Sequence, residues 1–185
     1  MVPASRSLRV SALALATLFL VAPRAGGSSA HADGPAVATR TRVEAILTGP
    51  GTRRHLVCGH RGDFRLQEGN NLPSFESAWR AGLDLIEIDV ESTSDGVPVI
   101  VHDDWPRKKT WAEWQRRRKP MLTLANALAW AQPIGRPLLI LDLKTPHLES
   151  VVATLRAARA AGRVVAFASD EKEYHRIRFL MPELD

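Results

Sequence analysis

The sequence predicts an α/β domain built on a largely parallel sheet, and three observations predict it. Short apolar runs alternate with longer helical patterns, Gly and Pro punctuate the junctions, and two of the apolar runs carry charged residues at alternate positions. A composition of 45% hydrophobic and 24% charged residues is that of a globular chain and excludes a disordered tail or a collagenous rod. A single cysteine excludes an internal disulfide framework and a Cys-rich zinc site.

Residues 1–32 read as a secretory signal peptide. Arg6 and Arg9 precede an apolar run from Val10 to Ala22, and Ala30-His31-Ala32 fits a small-residue cleavage site. The run is too short for the roughly 20 residues that span a bilayer, so export is expected over anchoring. The mature chain is then periplasmic or extracellular and begins near Asp33, with residues 33–54 as a linker. This segment also carries the chain's apparent basicity. It holds Arg6, Arg9 and Arg24 and no acid, leaving 22 basic side chains against 20 acidic ones. That balance is nearly neutral and argues against bulk attraction to nucleic acid.

In the body, residues 55–185, His55 to Cys58 is the first expected strand, with Cys58 a small core residue; Gly59-His60-Arg61-Gly62 follows it. Leu72, Phe75 and Trp79 fall at helical spacing, with Asn71 as N-cap and Gly82 as stop. Leu85 to Val90 and Val97 to Val101 are strands around an Asp95-Gly96 turn signal, locally like a hairpin. Leu122 to Trp130 reads as a helix, Leu138 to Leu143 as a strand, and Ser150 to Ala161 as a helix closed by Gly162. Val164 to Ala168 is the fifth strand, and Glu171 to Leu180 begins another helix. Five strands with an open parallel edge imply either a five-stranded open domain or an incomplete barrel.

The charges carry the functional signal. Side chains alternate along a strand, so Glu87 and Asp89 share one face while Ile86, Ile88 and Val90 take the other. The pattern recurs in Leu141-Asp142-Leu143-Lys144, and His60 and His102 each close a strand. In a parallel sheet these strand ends lie on one rim. Three carboxylates gathered there repel one another and lose hydration unless a cation joins them, and all-oxygen donors suit a hard ion, Mg²⁺ or Ca²⁺. Arg61 and Lys144 are the pair expected to hold a phosphate, and two histidines can exchange protons near neutral pH. The residues suggest metal-assisted phosphoryl ester chemistry.

The ordered set His60-Arg61-Gly62, Glu87-Ile88-Asp89, Asp95-Gly96-Val97-Pro98-Val99 and His102-Asp103-Asp104 resembles the glycerophosphodiester phosphodiesterase family, within the phospholipase-C-like phosphodiesterases. Asp142-Leu143-Lys144 stands where that family usually has Glu-x-Lys. The resemblance implies a TIM (β/α)8-type barrel of which this chain holds about the first five strands. It also implies general acid/base roles for His60 and His102, metal ligation by Glu87, Asp89 and Asp142, and phosphate contacts from Arg61 and Lys144. The implied reaction splits a glycerophosphodiester into glycerol phosphate and an alcohol. The family's Pro-Glu-Asn-Thr segment is replaced by Glu68-Gly69-Asn70-Asn71, which shifts the acid by one position and leaves Glu68 outside the expected site.

Two other readings compete. Related phospholipase-D-like enzymes act on intact phospholipid, but they have a shorter interval than the one from His60 to Glu87. An incomplete barrel could also bind phosphate without turnover. Residues 105–119 hold seven basic side chains among Trp105, Trp111 and Trp114; the segment reads as a solvated helix face over packed tryptophans, or as a contact for an anionic membrane. Asp103 is either a turn residue or a group that orients His102.

Overall fold

The computed structural model describes residues 56–63, 68–117, 121–133 and 136–184. The expected signal segment and linker, His55, and Arg118 and Lys119 lie outside the described residues.

In chain order the elements are β1 (Cys58–His60), α1 (Leu72–Arg80), β2 (Leu85–Ser92), β3 (Pro98–Ile100), α2 (Trp111–Arg116), β4 (Leu122–Thr123), α3 (Leu124–Ala131), β5 (Leu138–Leu143), α4 (Leu148–Ala157), β6 (Val164–Phe167) and α5 (Glu171–Leu180). The strands form one sheet in the order β4-β3-β2-β5-β6, with β1 also paired to β2. β1, β2, β5 and β6 run parallel, each pair joined through a helix, which is the repeating unit of a (β/α)8-type barrel. Among the described residues no helix is long and apolar enough to cross a membrane.

The apolar faces of β2 and β5 make the core. Ile86, Ile88, Val90, Leu139 and Leu141 have no exposed surface, and Phe75, Leu124, Val151 and Leu155 from three helices close over them. Each such side chain contributes about 1.5–3 kcal/mol through burial. Because side chains alternate, burying the isoleucines and Val90 sends Glu87, Asp89 and Glu91 to the opposite face.

Local signals set several boundaries as expected. Asn71 caps α1 by accepting from Ser74 N at 2.9 Å, and Gly82 ends the helix with φ +80°. At α5 the cap is Asp170, which sequence reading did not name; it accepts from Glu173 N at 2.8 Å.

Four expectations need correction. β3 is antiparallel to β2, as the Asp95-Gly96 turn signal suggested, and also to β4, so the sheet is mixed, and among the described residues six strands are present where five were expected. Leu122 and Thr123 pair with β3 instead of opening the helix, and α3 begins at Leu124 with Thr123 as its cap. α4 runs over Leu148–Ala157, two residues earlier than its apolar pattern suggested, and Gly162 lies in a separate 3-10 turn (Ala161–Arg163). Cys58 is exposed and not a core residue, because in alternation with the buried Gly59 it lies on the face opposite the helices.

Candidate active site

Register assembles the site. In the parallel ladders His60 pairs with Glu87, and Asp89 pairs with Asp142, so two adjacent rungs place an imidazole and three carboxylates on one face. One oxygen from each of Glu87, Asp89 and Asp142 lies within 4.8 Å of the others. Among the described residues this is the group of His, Cys, Asp and Glu side chains gathered closely enough to hold a metal ion.

The turn after β1 carries Arg61 into the same face. Arg61 adopts φ +58°, a left-handed conformation unusual for a side chain with a Cβ, and its backbone N–H donates to Glu87 O at 2.9 Å and to Glu87 Oε2 at 3.1 Å. Gly62 follows with φ +84°, and a Cβ there would stand 2.8 Å from the Ser74 backbone. The His-Arg-Gly triplet is thus explained by geometry: the glycine lets the turn press against the start of α1, and that pins the arginine.

Asp89 is the hub. Its side chain is 1% exposed, yet it meets Arg61 Nε at 3.0 Å, Lys144 Nζ at 3.1 Å and the Asn70 amide at 2.8 Å. Burial alone would raise its pKa, but the hydrogen bonds from Asn70 and Lys144 and the two positive charges hold it below the ordinary aspartate value. Lys144 also reaches Asp142 at 2.7 Å, and against partial desolvation the two aspartates raise its pKa, so it stays charged. Its backbone N–H donates to Val90 O, which fixes where the side chain leaves β5.

Glu87 differs. Desolvation first, then the charges of Asp89 and Asp142, push its pKa up to about 7. Two cations already serve Asp89, while Glu87 is left crowded by like charge, and oxygens of this kind are relieved by a hard divalent ion. The donor set therefore fits Mg²⁺ or Ca²⁺ held by Glu87, Asp89 and Asp142.

His60 Nε2 stands 3.7 Å from Glu87 Oε2, beyond hydrogen-bond length. Partial desolvation, followed by the Arg61 charge, lowers its pKa below 6.5, so the ring is neutral at pH 7. His102 reaches the site through the hairpin and not from a parallel strand end. Because β3 runs back along β2, with Val101 N–H donating to Asp89 O, His102 returns to the level of the carboxylates and is not at the far end of a parallel strand. Its Nδ1 lies 2.9 Å from Asp103 Oδ1, so Asp103 is the residue that orients it.

Three further residues were missed by sequence reading. Asn70, with φ +60°, reaches Asp89 with its amide and accepts from the Asp89 N–H at 3.3 Å. Its only sequence signal is its place beside Glu68, which is exposed and whose backbone carbonyl accepts from Asn71. Glu91 is 2% exposed and bound by Arg107 at 2.9 and 2.5 Å. In the basic segment Arg107 thus spends its guanidinium on the buried Glu91 while staying partly open to solvent, and Trp114 is buried against Trp105; Lys108, Arg116 and Arg117 are exposed as well.

With this geometry in view, residues 60–133 match the Glycerophosphoryl diester phosphodiesterase family. Over those residues the chain is similar to that family. A glycerophosphodiester phosphodiesterase of Caldanaerobacter subterraneus is 40% identical over 58 residues, 31% of this chain and 24% of the relative. Among solved structures, a glycerophosphodiester phosphodiesterase of Agrobacterium tumefaciens superposes with TM-score 0.59 at 22% identity, covering 71% of this chain and 65% of that one. A phosphodiesterase of Oleispira antarctica, solved with the product sn-glycerol-3-phosphate, gives TM-score 0.57 at 22% identity, over 70% of this chain and 64% of the other. The chain spans about a quarter of the length of the curated relatives it matches.

Proposed function

We propose that this chain carries the catalytic face of a metal-dependent hydrolase that splits glycerophosphodiesters into glycerol phosphate and an alcohol. The observation that carries the reading is the Glu87–Asp89–Asp142 cluster within 4.8 Å, set beside His60, Arg61 and Lys144. The Oleispira antarctica structure with bound sn-glycerol-3-phosphate supports the substrate class.

In this reading Glu87, Asp89 and Asp142 hold one hard divalent cation, which when bound polarises the phosphate and lowers the pKa of an attacking hydroxyl. Lys144 and Arg61 draw the phosphate oxygens to the same face. His60, neutral at pH 7, accepts the proton of the nucleophile, which is either water or the neighbouring hydroxyl of the substrate; attack by that hydroxyl gives a cyclic phosphate that water then opens to glycerol phosphate. His102, entering the step as the imidazolium, gives its Nε2 proton to the departing alkoxide as the phosphorus–oxygen bond breaks. Asp103 accepts from Nδ1 of His102 and so leaves Nε2 for that transfer. Asn70 holds Asp89 in place throughout.

The pattern of residues 1–32 supports export, and sequencing the N-terminus of protein recovered outside the cytoplasm should begin near Asp33. For the reaction, hydrolysis of glycerophosphocholine is measured beside that of phosphatidylcholine vesicles, with and without chelator, for the native chain and His60→Ala. Chelator-sensitive release of glycerol phosphate, lost in His60→Ala, is expected. Chelator-resistant turnover, or vesicle lipid as the preferred substrate, contradicts the assignment.

A further inference from the structure

β2 turns three carboxylates to the catalytic face, not two. Glu87 and Asp89 join the cluster with Asp142, but Glu91 lies one rung beyond, about 7 Å from Asp89 along the strand, and is 2% exposed. An unpaired carboxylate at that depth would be strongly disfavoured and would add to the repulsion already acting on Glu87. Arg107 meets it with both Nε and Nη2. The same Nη2 also donates to the backbone carbonyl of Lys144 at 2.6 Å. One guanidinium therefore joins the end of β2 to the end of β5, at the residue whose ammonium lies on Asp89 and Asp142.

The position of Arg107 in the chain adds a third attachment. It sits in the 3-10 turn Trp105–Lys108, directly after His102-Asp103-Asp104, and its backbone N–H donates to Asp104 O at 3.1 Å. Trp114 closes over the turn, with Nε1 donating to Pro106 O at 2.9 Å. A buried bond from Thr145 Oγ1 to Ser92 Oγ at 2.6 Å joins the same two strand ends one step further out.

We propose that Arg107 is a positioning residue for the catalytic face: by holding Glu91 and the Lys144 carbonyl together, it fixes Lys144 over Asp89 and Asp142 and keeps the His102 loop at the same rim. Lysine is a poor substitute, because a single ammonium does not offer the planar fork that meets a carboxylate and a carbonyl at once.

The test separates this role from mere neutralisation of Glu91. In the full-length Glu91→Met/Arg107→Met chain both charges are gone, so the fold keeps a melting temperature within about 3 °C of native. Amide exchange over residues 142–147 is then expected to quicken at least about ten-fold while residues 148–157 keep their native rates. Mn²⁺ affinity, read by electron paramagnetic resonance, is expected to fall about 10–100-fold, as for other groups that hold metal ligands in place. Native exchange over residues 142–147 in the double variant would overturn the proposal. Should that variant not fold by circular dichroism, Arg107→Lys decides by the same two measurements. The affinity arm rests on the cation reading above and the exchange arm does not: faster exchange in a protein whose native form binds no Mn²⁺ upholds the role of Arg107 and rejects the cation site.

Discussion

Asp89 and Asp142 are register partners across the parallel β2–β5 ladder, and a single ammonium, Lys144 Nζ, lies 3.1 Å from one and 2.7 Å from the other. Two strands separated by some fifty residues thus deliver like charges side by side, and the lysine two positions after Asp142 keeps them compatible. Glu87, one rung below, has no such relief.

The two aspartates should respond differently to neutralisation. Asp142→Asn removes one repelling charge and leaves Lys144 with Asp89, so the metal-free fold should melt no lower than native while Mn²⁺ affinity falls about 100-fold. Asp89→Asn removes the buried carboxylate that Arg61 meets and leaves Lys144 with Asp142 alone, and should cost up to about 3 kcal/mol as well as the affinity. Urea unfolding and Mn²⁺ titration of both variants check this; equal stability losses would contradict it.

The raised pKa of Glu87 fixes the sign of a pH effect. Its carboxyl keeps a proton in the folded state up to about 7, whereas the unfolded chain releases it near the ordinary value of 4.5. Between those values the folded state binds more protons, so the contribution of Glu87 to stability declines as pH rises through that window. A cation must displace the proton, so affinity should rise up to about ten-fold per pH unit below 7 and level off above it. Calorimetric titration at pH 5.5, 6.5 and 8 measures this, and Glu87→Gln should abolish both trends.

Gly62→Ala should be damaging although no charge is touched. The site demands φ +84°, and the new methyl would meet the Ser74 backbone at 2.8 Å. The conformation alone costs about 1–3 kcal/mol. Thermal melting should show at least that loss, and Gly82→Ala, with nothing within 4 Å of a Cβ, should lose less.

Asp103→Asn tests how His102 is oriented. The amide leaves the imidazole without a carboxylate at 2.9 Å, so kcat on glycerophosphocholine should drop about 10–100-fold with KM little changed. A rise in KM alone would make Asp103 a substrate contact instead.

Trp114 is buried and Arg107 is already paired with Glu91, so an attraction of residues 105–119 to lipid would rest chiefly on Lys108, Arg116 and Arg117 among the described residues. Sedimentation with anionic vesicles at low salt should show binding that Arg116→Ala/Arg117→Ala weakens and that high salt removes. No sedimentation at low salt would leave the segment as a packed structural element.

The sequence by itself determined which face of each strand is polar, because alternation in Ile86-Glu87-Ile88-Asp89-Val90 and Leu141-Asp142-Leu143-Lys144 leaves the acids no other side once the apolar residues are buried. It also determined the cap at Asn71, since capping is a contact over three residues. Tertiary structure alone decided the rest. The Asp95-Gly96 turn signal suggested the hairpin of β2 and β3, but the register that brings His102 back to the acids depends on pairing across the sheet. Asn70 meeting Asp89 across 19 positions and Arg107 reaching Lys144 across 37 are long-range hydrogen bonds from residues whose neighbours in sequence read as loop and surface. Polar loop residues gain their roles from what folding places beside them, whereas strand faces follow from the chain's own period of two.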